Sequence, residues 1–425
     1  MFLYNFSIYI LQFAFQCGAF IKPKAKLFID GRKNWKYILQ QQLDSKKIVS
    51  PIWMHCASLG EFEQGRPVIE AIKQKHPAQH IILTFFSPSG FENQKEYRYA
   101  DIVCYLPIDT KANAHDFVRM IQPKFVLFVK YEFWLNYLFA LQKEKTPCYL
   151  ISTVIKKHQP FFKWYGSVFR KGLQTYDTIF TQDEESLKLL NQLNVHTGKL
   201  AGDTRFDRVL QIGSAPKKIP DIATFTNNAF TIIAGSTWQK DEELLLNSYI
   251  ELTLKHPQLK LIIAPHEIDR RNIERLKNLL FHKKLSYHLF TEEATSYEHP
   301  VLIVNTIGLL SSIYQYGQIA YIGGGFDNGI HNILEAMVYG LPVFFGPNHH
   351  KYNEAKTTIK LEAAFEINNQ PELTEKLEQL ISSPEFLRTA SNKATAYITS
   401  NAGATHIIVK TVLIKNKLVY DEQTV

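Results

Sequence analysis

Short apolar runs alternate with amphipathic stretches from about residue 50 onward, and they do so in two series. The first contains "PIWMHCA", "HIILTFF", "DIVCYLP", "KFVLFVK", "PCYLIST" and "TIFTQ", separated by helical patterns such as "GRPVIEAIKQKH" and "NAHDFVRMIQ". Strands apolar throughout and linked by helices belong to parallel sheets covered on both faces. "LQIGSAPKKIPDIATF" then breaks the pattern, and the alternation resumes with "FTIIAGS", "KLIIAPH", "VLIVNT", "QIAYIGGG" and "LPVFFGP". The expectation is an α/β chain of two doubly wound domains, residues 27–210 and 211–425, ending in helix. Ligands then sit at the carboxyl ends of the strands, in a cleft between the domains.

Ahead of the first series, "MFLYNFSIYILQFAFQCGAFI" carries no charged side chain and is followed by "KPKAK" and "GRKNWK". Residues 1–26 read as a membrane-attached segment that either spans or lies flat, with the basic flank keeping the remainder on the cytoplasmic side. The competing reading is an N-terminal helix buried in the protein. A formal charge of +8 favours an anionic partner. The lysines are scattered without a stripe of stacking aromatics, which argues against nucleic acid. Cys17, Cys56, Cys104 and Cys148 show no C-x-x-C pair and no zinc-ligand spacing, so no metal is expected.

In the second series, "IAYIGGGFDNGIHNILEAMVYGLPVFFGP" ends a strand in Gly323, Gly324 and Gly325 and starts a helical pattern near His331. Backbone N–H groups and a helix N-terminus converging there suit a phosphate. Glu335, one turn beyond His331, suits the hydroxyls of a ribose. A tight turn would need the glycines equally. Ser236 and Thr237 precede an acidic helix, as caps or as anion contacts. His266 stands at another strand end, with Arg270 and Arg271 close behind it.

In the first series, "HCASLGEFEQGRP" places Ser58 three residues before Glu61, a capping box. A carboxylate at a strand-to-helix turn also suits a general base. The two roles compete if the side chain folds back onto the backbone.

Taken in order, "HCASLGEFEQGRPVIEAI", "LTFFSPSGFE", "YEFWLN", "GSTWQKDEE", "APH", "GGGFDNGIHNILEA", "GPNHHKYNEA" and "NAGAT" resemble the motifs of the 3-deoxy-D-manno-octulosonic acid (Kdo) transferases. The resemblance implies a GT-B glycosyltransferase, with two Rossmann-like domains facing each other across a cleft. It implies CMP-Kdo as donor and the lipid A precursor, lipid IVA, as acceptor, with inversion, no cofactor and no metal. It also implies a place on the anionic cytoplasmic face of the inner membrane.

On this resemblance Glu61 is the base. Ser236, Thr237, His266, Gly323, Gly324, Gly325, His331, Asn332 and Glu335 bind CMP. Ser58, Gly60, Ser87, Ser89, Lys130 and Glu132 meet the acceptor. Phe161, Phe162, Trp164 and Tyr165, with the nearby lysines, face headgroups or belong to an ordinary basic surface over core aromatics. The chain departs from the family pattern at Lys130, Leu135, His266, Asn305 and Leu309, where Glu, Pro, Arg, Asp and Glu are usual. Two rivals stand beside this reading: another GT-B enzyme using a UDP-sugar, as transferase or 2-epimerase, and a membrane-attached nucleotide binder without catalysis.

Overall fold

The computed structural model describes residues 1–227, 229–292 and 298–419. They form two compact units, Met1–Arg208 with the chain from Ala402 onward, and Val209–Asn401. Where the sequence reading carries the second domain through residue 425, the structure returns the last helix, Ala404–Lys415, to the first unit. Ile408, Val409, Val412 and Leu413 of that helix enter the same core as Val68, Ile69 and Ile72 of the helix Leu59–Lys75. Asp207 fastens the return, accepting from the N–H of Gly403 at 2.6 Å and of Thr405 at 2.7 Å.

In the first unit, β1 (Ile52–Cys56), β2 (Ile81–Phe85), β3 (Ile102–Tyr105), β4 (Phe125–Val129), β5 (Cys148–Thr153), β6 (Thr178–Thr181) and β7 (Gly198–Leu200) form one sheet in the order β3-β2-β1-β4-β5-β6-β7. Every pairing is parallel. Successive side chains of β1 enter opposite cores: Ile52, Met54 and Cys56 on one face, Trp53 on the other. The strand order reverses between β1 and β4, which is where such sheets bind ligands.

The second unit repeats the plan with β8 (Thr231–Thr237), β9 (Lys260–Pro265), β10 (Tyr287–Leu289), β11 (Val301–Ile303), β12 (Ile319–Ile322), β13 (Val343–Phe345) and β14 (Ala364–Glu366), in the order β10-β11-β9-β8-β12-β13-β14, again parallel. Its reversal lies between β8 and β12.

Helix α1 (Phe2–Gly18) is neither buried nor free. Tyr4, Ile8 and Phe15 pack with Phe28, Ile108 and Trp134 of the first unit, while Phe2, Leu3, Phe6, Tyr9, Ile10 and Phe13 are exposed on its outer side. Among the described residues, no helix is long and apolar enough to cross a membrane.

Candidate functional site

At the β1/β4 reversal, Ser58 caps the helix Leu59–Lys75, its hydroxyl accepting from the N–H of Glu61 at 3.4 Å. The Glu61 carboxylate folds back as the capping box requires, but through one oxygen alone: Oε2 accepts from the N–H of Ala57 at 2.5 Å and of Ser58 at 3.2 Å. Oε1 has no hydrogen-bond partner among the described residues. The cap therefore engages one oxygen of the carboxylate and leaves the other outside it.

Burial, and then the nearby charge of Glu132, push the Glu61 carboxyl up to about 7, against the Ala57 amide, the Lys130 ammonium and the Ser58 amide, which pull it down. Glu132 itself is only 4% exposed. Its Oε2 accepts from the indole N–H of Trp134 and lies 3.1 Å from Nε2 of the fully buried His55, whose Nδ1 contacts Thr84 Oγ1 at 2.9 Å. Glu132, expected to meet the acceptor, is buried here, and its charge acts on Glu61. Lys130 stands at the end of β4 in the left-handed region, φ 71°.

Of the other residues named for the acceptor, Gly60 is exposed with open space around it. Ser87 caps the helix Pro88–Gln94 and shares a 2.9 Å hydrogen bond with Ser89. The Ser87 N–H donates to Ala57 O at 2.8 Å, joining this loop to the one that carries Glu61. Sequence reasoning passed over Arg205, which pairs with Asp203 at 2.7 Å. The charges of Glu61 and Arg205 both act on Tyr131, which puts the three in one neighbourhood.

Behind Glu132, the amides that open the helix Leu135–Lys143 are tied to α1. The Leu135 N–H donates to Tyr4 Oη at 3.2 Å, and Tyr4 donates to Asp109 at 2.5 Å. Asp109 also accepts from the N–H groups of Asn136 and Tyr137, and burial pushes its carboxyl up to about 7 despite those donors. Leu135 supplies an N–H that the proline of the resembling family lacks.

At the β8/β12 reversal, the glycine run differs from expectation. The Gly323 N–H donates to Gly235 O at 2.9 Å and the Gly324 N–H to Asp241 Oδ2 at 2.8 Å, so these two amides are not available to a phosphate. The glycines serve backbone approach instead. A Cβ on Gly323 would stand 2.3 Å from Ser236 O, and Gly324 adopts φ +91°. The helix expected to begin near His331 is the short segment Leu334–Met337, with His331 and Asn332 in the loop before it. A helix this short offers little dipole at His331. The Leu334 N–H donates to Asn332 Oδ1 at 3.1 Å, and Asn332 Nδ2 donates to Glu335 at 3.0 Å.

Thr237, expected at the donor, is buried. Only 2% exposed, it donates inward to Glu242 at 3.0 Å, and Glu242 pairs with Arg275. Ser236 remains available, half-buried and left-handed at φ 53°. His266, exposed at the end of β9, stacks with Trp238 (centroids 4.8 Å apart) and with His331 (4.3 Å). Burial, then His266, hold the His331 imidazolium down to about 4, so the ring is neutral near pH 7. Asn305 donates to Thr291 at 2.8 Å. A cavity of about 400 Å³ adjoins Trp238, lined also by Glu267, Arg271, Asn272 and Arg275.

Compared with known proteins, residues 32–208 match the family model described as 3-deoxy-D-manno-octulosonic-acid transferase (kdotransferase). The chain is 30% identical over 341 residues to the 3-deoxy-D-manno-octulosonic acid transferase of Aquifex aeolicus, an alignment covering 79% of this chain and 88% of that one. It is 27% identical over 366 residues to the enzyme of the same name from Haemophilus influenzae, covering 83% and 84%. Among solved structures, UDP-GlcNAc 2-epimerase from Neisseria meningitidis bound to UDP-GlcNAc is similar in fold, with TM-score 0.63 and 17% identity over 86% of this chain and 100% of that one.

Proposed function

This chain belongs to the 3-deoxy-D-manno-octulosonic acid (Kdo) transferase family, and on that premise we propose that it moves Kdo from CMP-Kdo to lipid IVA, with inversion and without a metal. The observation that carries the reading is the Glu61 carboxyl, which titrates near 7, with one oxygen engaged in the cap and the other free. A base matched to neutral pH is what a poorly nucleophilic sugar hydroxyl requires. The acceptor hydroxyl gives its proton to Oε1 as its oxygen attacks the anomeric carbon of Kdo. The bond from that carbon to the CMP phosphate breaks, and CMP leaves with the electron pair.

The second unit takes the donor. Ser236 and His331 offer uncommitted polar groups to the phosphate, Glu335 meets the ribose, and the cavity beside Trp238 has room for the nucleoside. For location we propose the cytoplasmic face of the inner membrane, with α1 lying in the headgroup region. Its exposed Phe2, Phe6, Tyr9 and Phe13, the following Lys22, Lys24 and Lys26, and Trp164 at 92% exposure support that placement.

The test is transfer from CMP-Kdo to lipid IVA by wild type, Glu61→Gln and Glu61→Ala, with a melting curve for each. Glutamine still closes the cap but takes no proton. A glutamine variant that folds and is inactive supports the base. An active one assigns Glu61 to capping alone, and an inert wild type removes the Kdo reading. Preference for UDP over CMP would favour the UDP-sugar rival.

A further inference from the structure

Trp238 and His331 lie far apart in sequence, yet the Trp238 indole N–H donates to His331 Nε2 at 3.3 Å. The hydrogen bond sets the two rings edge to edge, and the His266 ring stacks on both, with interplanar angles of 26° and 29°. Trp238 is itself held: its backbone N–H donates to Asp241 Oδ2 at 3.0 Å, and the same oxygen accepts from Gly324, next to which His331 packs.

An indole N–H can only donate, so the His331 Nε2 that faces it must carry a lone pair. In a neutral imidazole the proton is then on Nδ1. Cδ2 of the ring is the atom turned toward Gly324, 3.2 Å from where a Cβ would stand. Nδ1, on the other side of Cγ, has no hydrogen-bond partner among the described residues.

We infer that Trp238 is a positioning residue of the donor site: its indole N–H fixes His331 in the Nδ1–H tautomer and so presents Nδ1–H as a neutral donor to a phosphate oxygen of the nucleotide. This rests on the nucleotide reading of the second unit given above. It also gives that unit an anion donor beside Gly323 and Gly324, whose amides are committed elsewhere. A neutral donor favours the charged phosphate oxygen through one directed hydrogen bond and does not add a full charge that would hold the departing CMP.

The test is the imidazole nitrogen spectrum of the intact chain labelled with [15N]histidine, with His331 assigned through His331→Gln. Spectra and CMP titrations by calorimetry are recorded for wild type and Trp238→Phe, which keeps an aromatic ring for the stack but has no N–H. Wild type is expected to show a protonated Nδ1 and a bare Nε2 at pH 7.5. Trp238→Phe is expected to show both tautomers and a CMP Kd raised roughly fivefold, the worth of about one hydrogen bond.

A protonated Nε2 in wild type would overturn the inference, and that reading needs no variant to fold. A Trp238→Phe protein that retains the pure Nδ1–H tautomer would overturn it as well, whatever its affinity. If wild type shows the expected tautomer but binds no CMP, the nucleotide reading falls while the pinning of His331 by Trp238 stands.

Discussion

Each sheet brings its functional side chains to the same topological point, the place where strand order reverses, yet the two points follow opposite electrostatic plans. Between β1 and β4 the groups are ionisable and left in tension: Glu61 and Glu132 repel one another in a half-dry setting, with Lys130 alongside. Between β8 and β12 the acids Asp241 and Glu242 are already locked to backbone amides, Tyr321, Thr237 and Arg275, and the rings of Trp238 and His331 stand beside them, the latter neutral near pH 7. The fold decides where chemistry can sit, and the local side chains decide which chemistry it is. A proton acceptor gains from a carboxyl that titrates near neutrality, whereas holding a nucleotide needs groups that stay the same across that range.

The largest effect should come from Glu61. Glu61→Gln is expected to lower Kdo transfer roughly 100- to 10,000-fold in a radiolabelled transfer assay. The folded carboxyl titrates above its unfolded value, so its charge costs stability above about pH 7 and the cost is relieved as pH falls. Glu61→Gln should therefore melt at or above wild type at pH 8. Equal transfer by both proteins would erase the contrast between the two reversals.

Next in size is Asp241→Ala, which strands the N–H groups of Trp238 and Gly324 and the hydroxyl of Tyr321. A loss of about 3 kcal/mol or more is expected in denaturant unfolding of the second unit. A change under about 1 kcal/mol would mean that the committed acids there do not hold the glycine turn.

Glu132→Gln sharpens the comparison by removing one of the opposed charges. In wild type the transfer rate should fall as pH drops through about 7, and the variant should move that limb down by about one pH unit, since a like charge no longer raises Glu61. His331, neutral down to about pH 4, should contribute no limb of its own between pH 5.5 and 8. A limb that ignores Glu132→Gln would assign the titration to another group.

The smallest effect is that of Leu135→Pro, which deletes the hydrogen bond to Tyr4 at a position where a helix tolerates proline. The cost should be about 1 kcal/mol or less, read as faster hydrogen exchange in α1.

The parallel sheets, their helices and the cap at Ser58 were legible because each is written in local spacing. The division of labour between the two oxygens of Glu61 was not, since a motif does not say which oxygen meets which amide. Glu132 looked like a cleft residue because its burial depends on His55 and Trp134 closing over it. The close backbone approaches of the glycine run were not legible for a similar reason: the neighbours are Ser236 of β8 and Gly346, the residue after β13. β7, β10 and β14 were missed because these edge strands, "GKL", "YHL" and "AFE", each carry a polar residue and form no apolar run, unlike the equally short β11 and β13. Trp238 carried no signal of its own until His331 was set beside it.

The return of the helix Ala404–Lys415 to the first unit also sets an order of assembly on the ribosome. Chains emerge N-terminus first and units fold as their cores become complete. All strands of the second sheet are synthesised before Ile408, Val409, Val412 and Leu413, which the first core still lacks. The half made second is thus free to finish first, and the helix that bears Glu61 gains its last packing partners only after the second sheet is fully translated. A nascent chain arrested before residue 404 would carry every proposed CMP contact and the proposed base on an unfinished support.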